Sequence, residues 1–352
     1  MGRRYFSDKI VEWYVDNRRS LPWRETTDPY KIWLSEVILQ QTRVVQGIPY
    51  YQQFTKTYPG IKKIAEAPEQ EILRLWQGLG YYTRARNLHR CAKAIVARYS
   101  GKFPETFEEL RKLPGIGDYT AAAIASFAFG ERVAVLDGNV FRVLSRVFGI
   151  DTPINSPEGK KEFSLLANEL VSESNPGLHN QAVMEFGALF CTPQNPKCQD
   201  CPFKNTCIAR RHDLIPLLPV KKQGKKSRIR YFFYLVVEKN RTFLMKKRKE
   251  KDIWHGLFDF VLIEKTKPVN PGRVVMEEEN KKWFQEVEDI RISKRYKHIL
   301  THQTIHCRFI HIKTKRPFVP GDKDLSFYSA RQIARLPKPA LISRFLDEQN
   351  EH

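Results

Sequence analysis

Outside the short span from Cys191 to Cys207, this chain of 352 residues has only two cysteines, Cys91 and Cys307. Thiols so few and so bunched do not make the spaced framework of a disulfide-stapled secreted domain. Long apolar runs are missing too, which argues against a membrane-spanning helix. The opening stretch "MGRRYFSDKIVEWYVDNRRS" mixes charge with aromatics where a signal peptide needs an uninterrupted apolar core. These absences predict a protein of a reducing interior, the cytoplasm, with no membrane partner. Acid is also in short supply: 60 Lys and Arg stand against 39 Asp and Glu, a formal net charge of +21. A field of that sign favours a polyanion, nucleic acid first.

The length predicts two domains, each with an adequate core. From residue 6 to about 212, stretches such as "DPYKIWLSEVILQQTRVVQG", "EQEILRLWQGLG" and "TRARNLHRCAKAIVARYSG" read as successive helices closed by Gly or Pro. The composition then changes. "DLIPLLPVKKQGKKSRIR" carries Pro216 and Pro219 and then basic residues with no acid, which suits an exposed linker over 214–227. It divides an N-terminal domain, 1–213, from a C-terminal one, 228–352. In the latter "YFFYLVVEKNRTFLMKKR" predicts a hairpin around Lys239 and Asn240, "TIHCRFIHIKTK" alternates as a strand does, and "ARQIARLPKPALISRFLDEQ" reads as terminal helix. That pattern is α/β or α+β.

Four motifs carry chemistry. In "LPGIGDYTAAAIASFAFG", Gly115 and Gly117 lie between two helices, where glycine permits a tight turn whose backbone N–H groups can approach a phosphate. A plain helix connector would look the same. Asp137, in "VAVLDGNVFRVLSRVFG", precedes a helix and reads as an N-cap, as a carboxylate beside that turn, or as both. Glu36 sits on a helix among Ile32, Trp33, Leu39 and Gln40; most such glutamates are solvated, but apolar neighbours would raise its pKa and suit it to donate a proton. In "CTPQNPKCQDCPFKNTC" the ligand spacing C-x6-C-x2-C-x5-C, through Cys191, Cys198, Cys201 and Cys207, suits either zinc or an iron–sulfur cluster. Cys91 and Cys307 read as ordinary buried thiols.

Taken in order, these elements resemble the helix-hairpin-helix DNA glycosylases of the endonuclease III superfamily. Within it, "LPWR", "SEVILQQTRV", "GLGYYTRARNLH", "LPGIGDYTA" and "VLDGNVFRVLSR" are similar to the MutY-type adenine glycosylases. The resemblance implies a mostly α N-terminal helix-hairpin-helix glycosylase domain with an iron–sulfur loop, and a smaller α+β Nudix-like C-terminal domain. It implies a 4Fe–4S cluster on Cys191, Cys198, Cys201 and Cys207. It assigns catalysis to Glu36, Asp137, Tyr119 and Asn139, and the adenine pocket to Trp23, Arg24, Leu39 and Gln181. DNA contacts fall to Gln41, Tyr81, Gly115 and Gly117, and 8-oxoguanine recognition to Thr301 and His302.

Endonuclease III-type enzymes that form a Schiff base carry lysine where this chain has Tyr119, and a phenol has no amine to condense with a sugar. The resemblance therefore implies a monofunctional glycosylase acting on double-stranded DNA with A:8-oxoguanine or A:G mispairs, as a monomer, in the bacterial nucleoid. Two departures stand out: "ILTHQ" replaces the family's Phe-Ser-His with Leu300, Thr301 and His302, and "MEEENKK" lacks the glycine and arginine placed for Nudix hydrolysis. The C-terminal domain is thus expected to bind and not to hydrolyse. The competing readings are a catalytically idle DNA-binding protein of the same fold, and a pyrimidine-lesion glycosylase of the endonuclease III type.

Overall fold

The structure, a computed structural model, describes residues 2–223, 227–250, 252–284, 286–317 and 324–350; residues 224–226 of the expected linker lie outside it. The chain divides into two compact units. One joins Met1–Glu66 to Asn87–Gln223, and the other joins Ala67–Arg86 to Gly224–His352.

The first unit is helical. In chain order the helices up to the linker are α1 (Arg3–Asn17), α2 (Pro29–Leu39), α3 (Val44–Thr57), α4 (Ile61–Glu66), α5 (Glu69–Leu75), α6 (Thr83–Tyr99), α7 (Phe107–Leu110), α8 (Asp118–Ala128), α9 (Gly138–Phe148), α10 (Pro157–Leu170), α11 (Pro176–Leu189) and α12 (Ile208–Arg211). Of these, α5 and the start of α6 belong to the second unit. Side-chain caps start several of them: Asp28 accepts from Tyr30 N–H, Ser156 from Gly159 N–H and Asn175 from Leu178 N–H, each followed by proline at the first helical position.

Helix α2 is buried on every side, from Tyr30 and Ile32 through Ile38, so any ionisable group on it is taken out of water. A second core gathers Phe6, Ile10 and Tyr14 of α1 with Val143, Phe163, Phe186 and Phe203. Leu218 is buried in that core, Leu214, Ile215 and Val220 pack against it, and Asn155 bonds the backbone of Lys222, so the expected linker lies on the helical unit as far as residue 223.

Among the described residues the second unit is built on an eight-stranded sheet: β1 (Arg228–Lys239), β2 (Thr242–Lys247), β3 (Phe258–Asp259), β4 (Val261–Lys265), β5 (Val287–Ile292), β6 (Tyr296–Leu300), β7 (Gln303–Thr314) and β8 (Leu325–Ser329). Strands β1 and β7 run parallel at its centre and all other pairs are antiparallel. The hairpin expected at Lys239 and Asn240 is present, its turn made by Asn240 and Arg241 at φ +48° and +60°. Six consecutive buried residues, Phe232 to Val237, mark β1 as covered on both faces. On one face Phe233, Leu235 and Val237 pack with Val274 of α13 (Pro271–Met276) and with Trp283. On the other, Phe309 stacks on Phe345 with ring centroids 3.9 Å apart. The expected terminal helix is in fact two, α14 (Ala330–Arg335) and α15 (Ala340–Asn350), because Pro337 and Pro339 of "LPKP" cannot continue a helix. Among the described residues no helix is long and apolar enough to cross a membrane.

Candidate active site

A cavity of about 300 Å³ opens in the helical unit, and eight residues singled out in the sequence line it: Trp23, Arg24, Glu36, Leu39, Tyr119, Asp137, Asn139 and Gln181. They come from five separate stretches of chain. Glu36 arrives on α2, Tyr119 on the first turn of α8, Asp137 and Asn139 at the start of α9, Gln181 on α11, and Trp23 and Arg24 on a single 3-10 turn, Pro22–Arg24.

Glu36 is 5% exposed. Burial pushes its carboxyl up to about 7, against the lowering effect of the Tyr119 hydroxyl, which donates to Oε2 at 2.7 Å; the nearby Asp137 raises it and Arg24 lowers it. Tyr119 is itself raised well above 10 by burial and by Glu36, so it stays a neutral phenol and a donor. Asp137 is held differently. One carboxylate oxygen accepts from the N–H groups of Asn139 (2.8 Å) and Val140 (2.7 Å), and the other from the Asn139 side-chain amide at 2.7 Å. Burial raises its pKa, and these bonds together with Arg142 oppose the rise. Asp137 is therefore the N-cap of α9 and a cavity carboxylate at once. Burial raises both carboxyls, but only the Tyr119 hydroxyl and Arg24 oppose the rise at Glu36, whereas three donors and Arg142 oppose it at Asp137.

Two cavity groups, Arg19 and Glu185, escape a reading of local motifs. Glu185, 1% exposed, receives both guanidinium nitrogens of Arg24 at 2.9 and 2.8 Å and two from Arg19 at 2.8 and 2.6 Å. Burial works to raise the Glu185 pKa, and the two arginines outweigh it, holding the group at about 2. The carboxylate thus fixes the direction of Arg24. The signal available for it was the one used for Glu36, an acid set among apolar neighbours on a helix, here Ala182, Ala188 and Leu189. Gln181 is oriented as well: its Oε1 accepts from the Tyr14 hydroxyl at 2.7 Å, which leaves its NH2 end to meet a ligand.

The cysteine loop is tied to this cavity through α9. Arg142 donates to Asn139 Oδ1 (2.8 Å), to the Cys191 carbonyl (2.8 Å) and to the Gly187 carbonyl (2.7 Å). One turn on, Arg146 donates to the Thr192 and Pro193 carbonyls and approaches Cys191 Sγ at 3.6 Å. Phe203, fully buried within the loop, stacks on Phe6 at 5.1 Å, so aromatic packing anchors the segment independently of any bound group. Burial pushes the Cys201 thiol up to about 12, and Cys191, Cys207 and Cys198 add to it electrostatically. Among the described residues, no three His, Cys, Asp or Glu side chains are grouped so as to hold a metal ion. Cys91 and Cys307 are buried, 1% exposed each.

The hairpin between α7 and α8 has Gly115 at φ +77°, where a Cβ would stand 2.5 Å from Cβ of Asn87, so glycine is required both for the turn and for the close approach. Gly117 is the N-cap of α8, and no side chain bonds the first-turn N–H groups from that position. Gln41 is exposed just past α2 at φ +56°. In the second unit, Thr301 and His302 are the two-residue turn between β6 and β7, with Leu300 paired to Gln303. The Tyr81 hydroxyl bonds to Thr301 Oγ1, and Tyr81, Thr301, His302 and Leu300 line a second cavity of about 320 Å³ with Trp254 and His298. The guanidinium of Arg84 lies over the rings of both Trp76 and Tyr81, at 5.0 and 5.9 Å.

Residues 34–171 match the family model described as HhH-GPD superfamily base excision DNA repair protein, and residues 232–348 match that of the NUDIX domain. The chain is 37% identical to the adenine DNA glycosylase of Buchnera aphidicola subsp. Baizongia pistaciae over 308 residues, covering 86% of this chain and 84% of that protein. It is 43% identical over 215 residues to the human adenine DNA glycosylase, covering 58% of this chain and 39% of the human one. The structure of a thermostable thymine-DNA glycosylase superposes on 60% of this chain and 97% of its own, with TM-score 0.56 and 32% identity. With both units matched and most of its length shared with the bacterial relative, the chain belongs to the adenine DNA glycosylase family.

Proposed function

We propose that the protein is a monofunctional DNA glycosylase of base excision repair, removing adenine mispaired with 8-oxoguanine or guanine and leaving an abasic site. The observation that carries this reading is the meeting of Glu36, poised near neutrality, with the hydrogen-bonded carboxylate of Asp137 in one cavity, with Tyr119 bonded to Glu36.

The duplex hides its bases, so the adenine must be flipped out to enter the cavity. Gln41 and Tyr81 brace the gap, and the N–H groups at Gly115 and Gly117 hold backbone phosphate. Trp23, Leu39, Gln181 and Arg24, the last fixed by Glu185, receive the base. Adenine leaves poorly as an anion, so Glu36 protonates it at N7 while the Tyr119 hydroxyl steadies the carboxyl. Positive charge grows on the sugar as the bond lengthens, and Asp137, its oxygens oriented by Asn139, faces that charge until a water adds to the anomeric carbon and loses a proton, which balances the one Glu36 gave the base and leaves the abasic sugar. Tyr81, Thr301 and His302 read 8-oxoguanine, the Thr301 hydroxyl serving as donor or acceptor. One chain supplies both readers and works as a monomer on the chromosome, in the cytoplasm.

We assign a 4Fe–4S cluster to Cys191, Cys198, Cys201 and Cys207. The donor set fits: the four thiols interact with one another, and a four-iron cubane offers a separate iron to each thiolate. The bound cluster would order the loop that carries the exposed Lys197 and Lys204, which then meet DNA phosphates. Because Phe203 anchors the loop, a Cys198→Ser protein is expected to fold, to lose iron, and to bind duplex about tenfold more weakly as two phosphate contacts are lost. Iron analysis with a binding titration checks this; unchanged affinity in the iron-free protein would remove the cations from the account.

A duplex with one A:8-oxoguanine pair, incubated with the protein and analysed with and without hot alkali, tests the whole reading. Strand breakage only after alkali is the expected result. Breakage without alkali would indicate a lyase, and no breakage in either arm an idle binding protein.

A further inference from the structure

The helical unit holds a second cavity, about 670 Å³ and more than twice the volume of the catalytic one. Arg24, Phe127 and Gln181 line both, so side chains wall one off from the other. Helix packing sets where each opens. Helices α2 and α8 have 11 residues each, about 16 Å, and Gln40 at the end of α2 donates to Thr120 Oγ1 in the first turn of α8 at 3.2 Å. At that end the catalytic cavity reaches Thr42, Arg43 and Val44, next to Gln41 in the chain, and the hairpin glycine Gly117 caps α8. At the opposite end Thr26 and Thr27, ahead of α2, meet Ser126, Phe127 and Ala128 at the close of α8 around the larger cavity. Its rim is at the surface, where Arg18, Glu25, Thr27 and Gly130 are exposed.

The shared wall is not uniform. Arg24 is clamped by Glu185 and lies over the Tyr14 ring at 5.6 Å, and Gln181 accepts from the Tyr14 hydroxyl at 2.7 Å, so both are fixed in direction. Phe127 has no polar atom on its side chain to tie it. It packs half-buried against the cluster of Ala122, Ala123 and Val135 at the end of α8, and a turn of its ring is the smallest movement that joins the two cavities.

Cleavage leaves a base inside a closed site. The adenine enters from the end that carries Gln41 and Gly117, and after the bond breaks the abasic strand still covers that mouth. Having taken a proton from Glu36, the base departs as a neutral, flat molecule with polar edges. We propose that the larger cavity is a second purine site, which the cut adenine reaches by passing Phe127, so that it leaves from the back while the abasic duplex stays bound in front. The Phe127 ring and Leu178 offer apolar surface to the flat faces of a purine, and the Thr27 hydroxyl, Arg18 and Glu25 offer donors and acceptors to its edges. The route rests on the glycosylase reading; the purine site itself rests on the cavity.

Two labels on one duplex test it with the full chain. The substrate carries a radiolabel in the adenine opposite 8-oxoguanine and a fluorophore on the strand; excess protein cuts it once, competitor duplex is added, and the escape of each label from the complex is timed. Adenine is expected to escape roughly tenfold or more ahead of the duplex. In Thr27→Trp and Ala128→Trp, which fill the cavity from different sides, its escape is expected to slow to the rate of the duplex while bond cleavage, read with alkali, is unchanged. Thr27 is exposed, so that variant decides the matter if Ala128→Trp fails to fold. Equilibrium dialysis of free adenine against the DNA-free protein is the second arm, in which Thr27→Trp is expected to hold one adenine fewer per chain than the parent. The proposal is overturned if both labels leave the parent together, if Thr27→Trp releases adenine as fast as the parent, or if the two proteins hold equal amounts in dialysis. Absence of alkali-dependent breakage in the parent would instead refute the glycosylase reading and the exit route with it, and dialysis alone would then decide the purine site.

Discussion

Glu36→Gln is expected to slow adenine release by about 10²–10⁴-fold while making the protein more stable. Glutamine keeps an oxygen for the Tyr119 hydroxyl and the volume of the side chain, but it has no proton to give to a leaving base. The stability gain follows from the same burial that makes Glu36 an acid. In the unfolded chain its carboxyl ionises near its usual value of 4.5; in the folded one it holds its proton until about 7. Between those values unfolding releases a proton, so stability falls as pH rises and the deficit persists above neutrality. Removing the ionisable group at pH 8 is expected to recover on the order of 2 kcal/mol, consistent with one pKa unit being worth about 1.4 kcal/mol. Single-turnover base release and denaturant unfolding check the two halves. A variant that lost activity and stability together would mean that Glu36 is a structural residue.

The second large effect is on Asp137. Asp137→Asn retains an oxygen to accept from the N–H groups of Asn139 and Val140, so α9 keeps its cap while the cavity loses an anion. Release is expected to slow by about 10²–10³-fold with unfolding nearly unchanged. Asp137→Ala removes the anion and the cap, and is expected to lose similar activity and a further 1 kcal/mol or so of stability. Equal stability of the two variants would show that the cap bonds contribute little, and normal release in Asp137→Asn would remove the carboxylate from the mechanism.

Part of the candidate cavity was legible because three of its groups lie inside short contiguous motifs that fold the same way locally: Glu36 on a buried helix, Asp137 at a helix start, Tyr119 just past a glycine hairpin. The partnership of Arg24 with Glu185 was not, since the two are distant in sequence and meet only when α11 packs beside α1. The same holds for residues 67–86, whose attachment to the second unit depends on pairings such as Gln77 with Ser343 that no local pattern announces. The break in the terminal helix was written in "LPKP" and was overridden only by reading periodicity before proline. The link from Asn139 through Arg142 to Cys191 joins two motifs that the sequence offers as separate facts.

The central claim is that a buried, protonated Glu36 drives base release. The pH dependence of adenine release from an A:8-oxoguanine duplex, measured at subsaturating concentrations so that the free protein's groups are reported, tests it most directly. The account predicts a rate that falls tenfold per pH unit above about 7, as Glu36 loses its proton, and a loss of that limb in Glu36→Gln. A rate that is flat or rises through neutrality in the unmodified protein would contradict it.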